Sequence, residues 1–291
     1  MLTFQKILFP VDFSTCSTHS VAYVARIAKK FSSEVVLFHA FDAYDPFGYG
    51  AASSTVVYGA CEASLRQPRE AALRDFGGTA LAGLPVSRIV EIGEPADCIV
   101  EFVERHAIDL IFMPTHGHGR FRRLLLGSVT SKVLHDAKCP VWTTAHSECL
   151  EDQHPEGIQK IVCAVDLSPA TTQIICAARD MAQQYGACVQ LIHSIPALDL
   201  EPDDAGVDAP FQRFLFDRAT ELIATFQAEA KTNFEALVRY GQVESVVRDA
   251  ASSCGAQLIV IGRGRLTGLL GRLRTNVNNI IREAPCPVLS V

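Results

Sequence analysis

The sequence contains no apolar run long enough to cross a bilayer. A membrane-spanning helix needs about 18 or more consecutive apolar residues, and no stretch of this chain approaches that length, although 48% of its residues are hydrophobic. Its first residues, MLTFQKILFPVD, also lack the basic, apolar and cleavage-site regions of a signal peptide. We therefore expect a cytoplasmic protein with no membrane partner.

Long clusters of basic residues are missing as well. The chain has a formal net charge of -6, and Lys and Arg form only short groups, such as RFRR at 120–123. Proteins that bind DNA or RNA need a larger concentration of positive charge to neutralise the phosphate backbone. We therefore expect no nucleic-acid partner.

No two cysteines have the Cys-x-x-Cys spacing of a redox or zinc motif. The ten cysteines are scattered, and several of them lie in apolar runs, where cysteine acts as a small hydrophobic residue. We predict that they are reduced thiols. His146, Cys149 and His154 have side chains that bind metals, but they lie in a polar linker. We interpret their spacing as chance and predict no metal site.

What the sequence does contain is an internal repeat. Lys6-ILFPVDFS corresponds to Lys160-IVCAVDLS, an offset of 154 residues, and the same offset pairs His39 with His193. Two further pairs of segments match in the same order, 109–117 with 257–264 and 138–144 with 285–291. Because the order is preserved throughout, the chain is a duplication of one unit.

Each repeat alternates strand and helix patterns. In the first repeat, apolar runs predict five strands, at 7–11, 35–41, 86–92, 110–113 and 141–143, with about four helices between them. This alternation predicts an α/β protein of two tandem Rossmann-like domains, each a five-stranded parallel sheet covered by helices on both faces. We place domain 1 at residues 1–145, a linker at 146–157 and domain 2 at 158–291.

Polar residues and glycines follow the first and fourth strands of the first repeat. Ligands of open parallel sheets bind beyond the carboxyl ends of strands whose connections leave in opposite directions. Asp12 could accept hydrogen bonds from a ribose or an exocyclic amine, and a helix that starts at Ser128 after Gly127 favours an anion. Taken singly, such residues are ordinary turn and cap residues. Their occurrence together, and at matching positions in both repeats, favours a ligand site.

These motifs resemble the universal stress protein family over essentially the whole chain. Nucleotide-binding members of that family have Gly-x2-Gly-x9-Gly-Ser/Thr after the fourth strand and an Asp at the end of the first strand that meets the adenosine. In the first repeat Gly117, Gly127 and Ser128 fit the spacing. Asp12 fits too, whereas Pro114 replaces the first glycine of the pattern.

The resemblance implies that the first half binds an adenine nucleotide, most directly ATP, as its cofactor. The implied contacts are Pro10, Val11, Asp12, Ser14, Ala40, Met113, Thr115, His116, Gly117, His118, Gly119, Gly127, Ser128 and Val129. Proline at position 114 removes a backbone donor but is compatible with an extended strand exit. With no carboxylate pair or second histidine cluster beside them, we interpret His116 and His118 as loop or phosphate contacts rather than catalytic or metal-binding residues.

The second half departs further from the family pattern. Its candidates are Asp166, Gly262, Gly264, Arg274 and Thr275, its loop is one residue shorter, and Arg274-Thr275 stands where Gly-Ser is expected. The Arg274 side chain would occupy the space through which a phosphate approaches the backbone. We weigh this obstruction above the attraction of the nearby arginines for phosphate, and we expect weaker ATP binding here or none.

The resemblance implies a non-enzymatic stress-response protein whose bound ATP changes its conformation or its partner binding. Two alternatives stay open. One is a weak ATP hydrolase, in which the loop histidines position a water at the γ-phosphate, and the other is an interaction scaffold that binds no nucleotide. The SGGxDS and HIGH signatures of other adenine-nucleotide enzymes are absent.

The last strand of each half would be an exposed edge if it stayed unpaired. In the family, separate domains pair through these strands. We therefore predict that the segments 141–144 and 288–291 pair the two halves as an internal pseudo-dimer. A further homodimer is left open.

Overall fold

A computed structural model describes residues 2–42, 62–114, 126–144, 157–196, 205–263 and 273–291. The chain divides into two compact units, one built mainly from Thr3–Trp142 and the other mainly from Asp152–Val291. The predicted linker, 146–157, lies almost wholly outside the described residues. No helix in the described ranges is long and apolar enough to cross a membrane, and the cysteines in those ranges are free thiols.

The first half alternates strands and helices, as its apolar runs predict. Its described elements are β1 (Lys6–Pro10), α1 (Thr15–Phe31), β2 (Glu34–Phe41), α2 (Glu62–Asp75), β3 (Val86–Ile92), α3 (Pro95–His106), β4 (Leu110–Pro114), α4 (Ser128–Asp136) and β5 (Val141–Thr144).

The strand order in the first half is β3-β2-β1-β4-β5, and the pairs β1–β2, β2–β3 and β1–β4 are parallel. From β1 the chain passes through α1 to β2 on one side. From β4 it passes through α4 to β5 on the other side. The connections therefore diverge between β1 and β4, which makes the carboxyl ends of these strands the expected position of a ligand.

Both faces of the first sheet carry a buried aromatic layer against helices. On one face, Phe9 packs against Phe112 with ring centroids 5.7 Å apart, and Tyr23 of α1 contacts Phe112 at 5.8 Å. On the other face, Phe38 contacts Phe102 of α3 at 4.8 Å. Apolar side chains on both faces of a strand are the reason that these strands appear as unbroken hydrophobic runs in the sequence.

The second half repeats this architecture. Its elements are β6 (Lys160–Ala164), α5 (Thr171–Tyr185), β7 (Cys188–Ile195), α6 (Ala205–Ala230), β8 (Glu235–Tyr240), α7 (Val243–Cys254), β9 (Leu258–Ile261), α8 (Leu273–Glu283) and β10 (Val288–Ser290). The strand order, β10-β9-β6-β7-β8, matches that of the first half strand for strand, with parallel pairing throughout. The predicted tandem of Rossmann-like α/β domains is confirmed.

Candidate functional site

A tight turn follows β1 and holds the Asp12 side chain. Phe13 adopts a left-handed backbone conformation with φ 60°, which costs a non-glycine residue about 1–2 kcal/mol. This turn brings the backbone amide of Ser14 to Asp12 Oδ1, to which it donates a hydrogen bond of 2.9 Å. Strain of this kind persists only where surrounding contacts enforce it, and it concentrates at functional sites.

The next residue, Ser14, begins helix α1 as its N-cap. Its hydroxyl oxygen accepts a hydrogen bond of 3.2 Å from the backbone amide of Ser17, and its side chain is only 2% exposed. Such a cap satisfies one of the helix amides that lack an intrahelical partner. Its predicted role as a nucleotide contact stays a prediction, and the structure shows its hydroxyl serving the helix.

A hydroxyl group in the first turn of α1 also donates a hydrogen bond to Asp12. The Ser17 hydroxyl donates to Asp12 Oδ1 at 2.6 Å, a distance typical of a charge-assisted bond to a carboxylate. Ser17 is 2% exposed, whereas Asp12 is exposed at the carboxyl end of β1. The carboxylate is therefore held from the protein side and presented to solvent.

His39 ties the end of β2 to this turn. Its Nδ1 lies 2.7 Å from the carbonyl oxygen of Val11, and because a carbonyl only accepts, Nδ1 carries the proton. The Val11 amide in turn donates to the Phe38 carbonyl at 2.8 Å. Burial lowers the pKa of His39, and the hydrogen bond to Val11 opposes that shift only in part.

The role of His39 was missed by sequence reasoning, in which it served only to align the repeat with His193. The ring of Phe13 lies against His39 with centroids 4.7 Å apart. Arg69 of α2 places its guanidinium 3.7 Å from the centre of the Phe41 ring. The recurrence of this histidine in both halves was the sequence signal that could have identified the role of His39.

The β4 side of the site consists of a buried strand end and the start of α4. Met113 is 6% exposed, and the Pro114 carbonyl accepts a 3.3 Å hydrogen bond from Thr130 Oγ1. Proline thus ends β4 in extended backbone, as predicted. Gly127 is the N-cap of α4 and has no side chain with which to cap that helix. The backbone amides at a helix start are donors that an anion can use.

The structure therefore places the described candidates of the first half at the ends of three neighbouring strands and at one helix start. Pro10, Val11, Asp12 and Ser14 follow or end β1, Ala40 lies near the end of β2, Met113 is in β4, and Gly127, Ser128 and Val129 open α4. The remaining candidates, Thr115, His116, Gly117, His118 and Gly119, lie outside the described residues.

The turn after β6 reproduces the turn after β1. Leu167 has φ 59°, and Asp166 Oδ1 accepts from the Ser168 amide at 3.0 Å and from Thr171 Oγ1 at 3.4 Å. His193 Nδ1 lies 2.8 Å from the Val165 carbonyl oxygen. Both copies thus build the same carboxylate turn from residues at matching positions.

The second half differs at the end of β9 and at the start of the following helix. A Cβ added to Gly262 would lie 2.3 Å from Ile174 Cδ1 of α5, so an apolar side chain packs directly against this glycine. Helix α8 is described over Leu273–Glu283, so the position matched to Gly127, Arg274, lies within the helix together with Thr275. Gly264 and the side chains of Arg274 and Thr275 are outside the described set.

Metal ligands do not cluster in the part of the chain that the structure describes. Within those ranges, no group of three or more His, Cys, Asp or Glu side chains could hold a metal ion. The residues considered from sequence, His146, Cys149 and His154, fall outside them.

Comparison with known proteins identifies the repeated unit. The sequence profile of the Universal stress protein family matches residues 3–144 and 157–291. A universal stress protein of Methanocaldococcus jannaschii is 33% identical over 139 residues, 47% of this chain and 80% of that protein. One from Mycobacterium bovis is 26% identical over 214 residues, 70% of this chain and 65% of that protein. The crystal structure of a universal stress protein from Archaeoglobus fulgidus covers 100% of this chain and 97% of its own, with a TM-score of 0.69 at 21% identity, a likeness of fold.

Proposed function

This chain belongs to the universal stress protein family, and on that premise we propose that its first half binds an adenine nucleotide, ATP. Binding changes the conformation or the partner binding of a regulatory protein that is not an enzyme. The cytoplasmic location and the pairing of the two halves as an internal pseudo-dimer are parts of the same proposal.

The observation that carries the proposal is the Asp12 carboxylate. It stands exposed at the carboxyl end of β1, where the connections from β1 and β4 diverge, and two hydrogen bonds to Oδ1 fix its direction. A carboxylate held in this way is an acceptor for the hydroxyl groups of a ribose. The strained backbone at Phe13 in this turn supports a role beyond chain reversal.

The start of α4 supplies the complementary end of the site. Gly127 precedes the helix without a side-chain cap, and Ser128 is exposed at its first turn. Amides at a helix N-terminus and a serine hydroxyl both donate to phosphate oxygens. A sugar-binding acceptor at the end of β1 and a phosphate-binding helix start after β4 would supply the two kinds of contact that a nucleotide needs.

We predict that Asp12→Ala and Ser128→Ala each weaken ATP binding by about 1–3 kcal/mol, the range for hydrogen bonds that involve charged groups. Isothermal titration calorimetry of the full chain measures this change. Ser131→Ala is the matched control, because Ser131 lies one turn further along α4, and it should leave the affinity unchanged.

Unchanged affinity in both Asp12→Ala and Ser128→Ala would rule out the first-half site. A measurement of phosphate release in the same samples distinguishes the hydrolase alternative from the non-enzymatic regulatory protein. Turnover above background that is lost in Ser128→Ala would favour the enzyme. Binding without turnover favours the regulatory protein, and absence of binding in the unmodified chain favours the scaffold.

A further inference from the structure

We propose that Ser17 is a positioning residue, which holds the Asp12 carboxylate in the orientation that meets a ligand at the end of β1. Nothing in the sequence pattern of the nucleotide site assigned a role to Ser17. The identity of the ligand rests on the proposed function, whereas the positioning of the carboxylate does not.

Two donors from different elements converge on a single oxygen of Asp12. The Ser14 amide, in the turn, donates to Oδ1 at 2.9 Å, and the Ser17 hydroxyl, in α1, donates to it at 2.6 Å. The amide belongs to the turn and the hydroxyl to the helix, so the second bond adds a restraint on the Asp12 side chain from another element. This second restraint favours one rotamer of Asp12 and so orients its carboxylate.

The Ser17 hydroxyl acts as a link between the helix and the exposed carboxylate. Ser17 is 2% exposed, so water does not satisfy its hydroxyl, and a buried hydroxyl needs a protein partner. The Ser14 hydroxyl oxygen lies 3.5 Å from Ser17 Oγ, which is long for an O–H···O hydrogen bond, so Asp12 at 2.6 Å is the main partner of the Ser17 hydroxyl. The Ser17 hydroxyl thus joins the buried helix start to the exposed acid.

Helix capping alone does not account for Ser17. Ser14 already caps α1 by accepting from the Ser17 amide, and that bond needs only the backbone of residue 17. The hydroxyl is therefore an addition to the cap.

The second half contains a second instance of the same arrangement. Thr171 is fully buried and its hydroxyl donates to Asp166 Oδ1 at 3.4 Å, beside the Ser168 amide bond to the same oxygen. A hydroxyl five residues after the aspartate therefore occurs in both copies. The longer distance indicates a weaker hold on Asp166 than on Asp12.

The test uses three single variants of the full chain. Ser17→Ala removes the hydroxyl, Ser17→Thr substitutes the residue that the second half has at this position, and Ser20→Ala is a matched control. Ser20 is fully buried in the same helix, but its hydroxyl donates to the Cys16 carbonyl at 2.8 Å. We expect ATP affinity to fall by roughly tenfold in Ser17→Ala, and to stay near that of the unmodified chain in Ser17→Thr and Ser20→Ala.

A double variant shows whether Ser17 acts through Asp12. If it does, Ser17→Ala causes no further loss of affinity in the Asp12→Ala background, because the group that it positions is already gone. A merely structural role would instead lower affinity by the same factor in both backgrounds, and that result would overturn the proposal.

A measurement without nucleotide separates this proposal from the proposed function. Three-bond NMR couplings of Asp12 report its χ1 populations, and we expect one rotamer in the unmodified chain and in Ser17→Thr, and rotamer averaging in Ser17→Ala. A single rotamer retained in Ser17→Ala overturns the positioning role. If the unmodified chain binds no ATP, the proposed function fails while the coupling measurement still decides the role of Ser17.

Discussion

His39 links the ends of two strands, β1 and β2, and its protonation depends on pH. Its Nδ1 donates to the Val11 carbonyl, directly before Asp12, so the ring supports the carboxylate turn from the β2 side. Burial lowers its pKa from the usual 6.5, the Val11 hydrogen bond raises it, Arg69 lowers it further and Asp12 raises it. The net effect is a neutral ring at physiological pH.

The lowered pKa predicts a pH dependence of stability. The unfolded chain binds the His39 proton more readily than the folded chain does. The contribution of neutral His39 to the free energy of unfolding is therefore fully present above pH 6.5, and it is lost as the pH falls through the lower pKa of the folded state. We expect the melting temperature to fall less between pH 7.5 and about pH 5 in His39→Asn than in the unmodified chain.

Thermal unfolding monitored by circular dichroism at a series of pH values measures this difference. The two proteins share all other titratable groups, so the comparison isolates His39. Parallel curves in the two proteins would contradict the account of His39.

At the scale of elements, the strands and helices could be predicted from sequence because their apolar runs are buried on both faces or on one helix stripe. The predicted strand at 86–92 matches β3. Helix α2 ends at Asp75, because Gly77 takes a left-handed conformation with φ 71°, which stops a helix.

The start of α8 shows a limit of sequence reasoning. Counting back from the Cys-Pro-Val motif aligns Arg274-Thr275 with Gly127-Ser128, yet Arg274 already lies within α8, whereas Gly127 precedes α4 as its N-cap. A shorter loop changes where a helix can start, and an alignment by position cannot show this.

The role of Ser17 was missed in the sequence because a serine in the first turn of a helix is usually a capping or surface residue.

The packing of α5 on β9 predicts a specific steric coupling. Gly262→Ala would place a Cβ 2.3 Å from Ile174 Cδ1, and we expect this overpacking to lower the free energy of unfolding by about 1–3 kcal/mol. Ile174→Val removes the clashing methyl at a cost of about 0.5–1.5 kcal/mol. The double variant should therefore lose less stability than the sum of the two single variants.

Chemical denaturation measures these three stabilities. Gly78→Ala is a control, because its added Cβ meets nothing closer than 3.7 Å, and it should change stability little. Additive effects of Gly262→Ala and Ile174→Val would show that Ile174 does not fill the space beside Gly262.

At the scale of the whole molecule, the sequence predicts that the two halves pair through their last strands. Trp142 is the single tryptophan of the chain, is fully buried and lies in β5 of the first half, so its fluorescence reports on the unfolding of that half. Ile161→Ala, at a buried position of β6 in the second half, should destabilise that half by about 2–5 kcal/mol.

If the halves pair, Ile161→Ala lowers the midpoint of the Trp142 fluorescence transition together with that of circular dichroism. Independent halves would unfold separately, and the Trp142 transition would then keep its midpoint. Leu8→Ala, at a buried position of β1 in the first half, is the positive control, because it should shift the Trp142 transition in either case.

Duplication has kept the carboxylate turn in both halves while the region after β9 has diverged from its counterpart after β4. Asp12 and Asp166 make the same two types of hydrogen bond, but the first half has Gly127 as the N-cap of α4, whereas the second half has Arg274 at the matching position. The central claim is therefore that one half binds nucleotide and the other does not.

Native mass spectrometry of the full chain with ATP tests this claim most directly, because it counts bound nucleotides. We predict one ATP per chain, lost in Asp12→Ala and retained in Asp166→Ala, which changes the same turn of the other copy. Two equivalent nucleotides per chain, or a single one that is lost only in Asp166→Ala, would contradict the account.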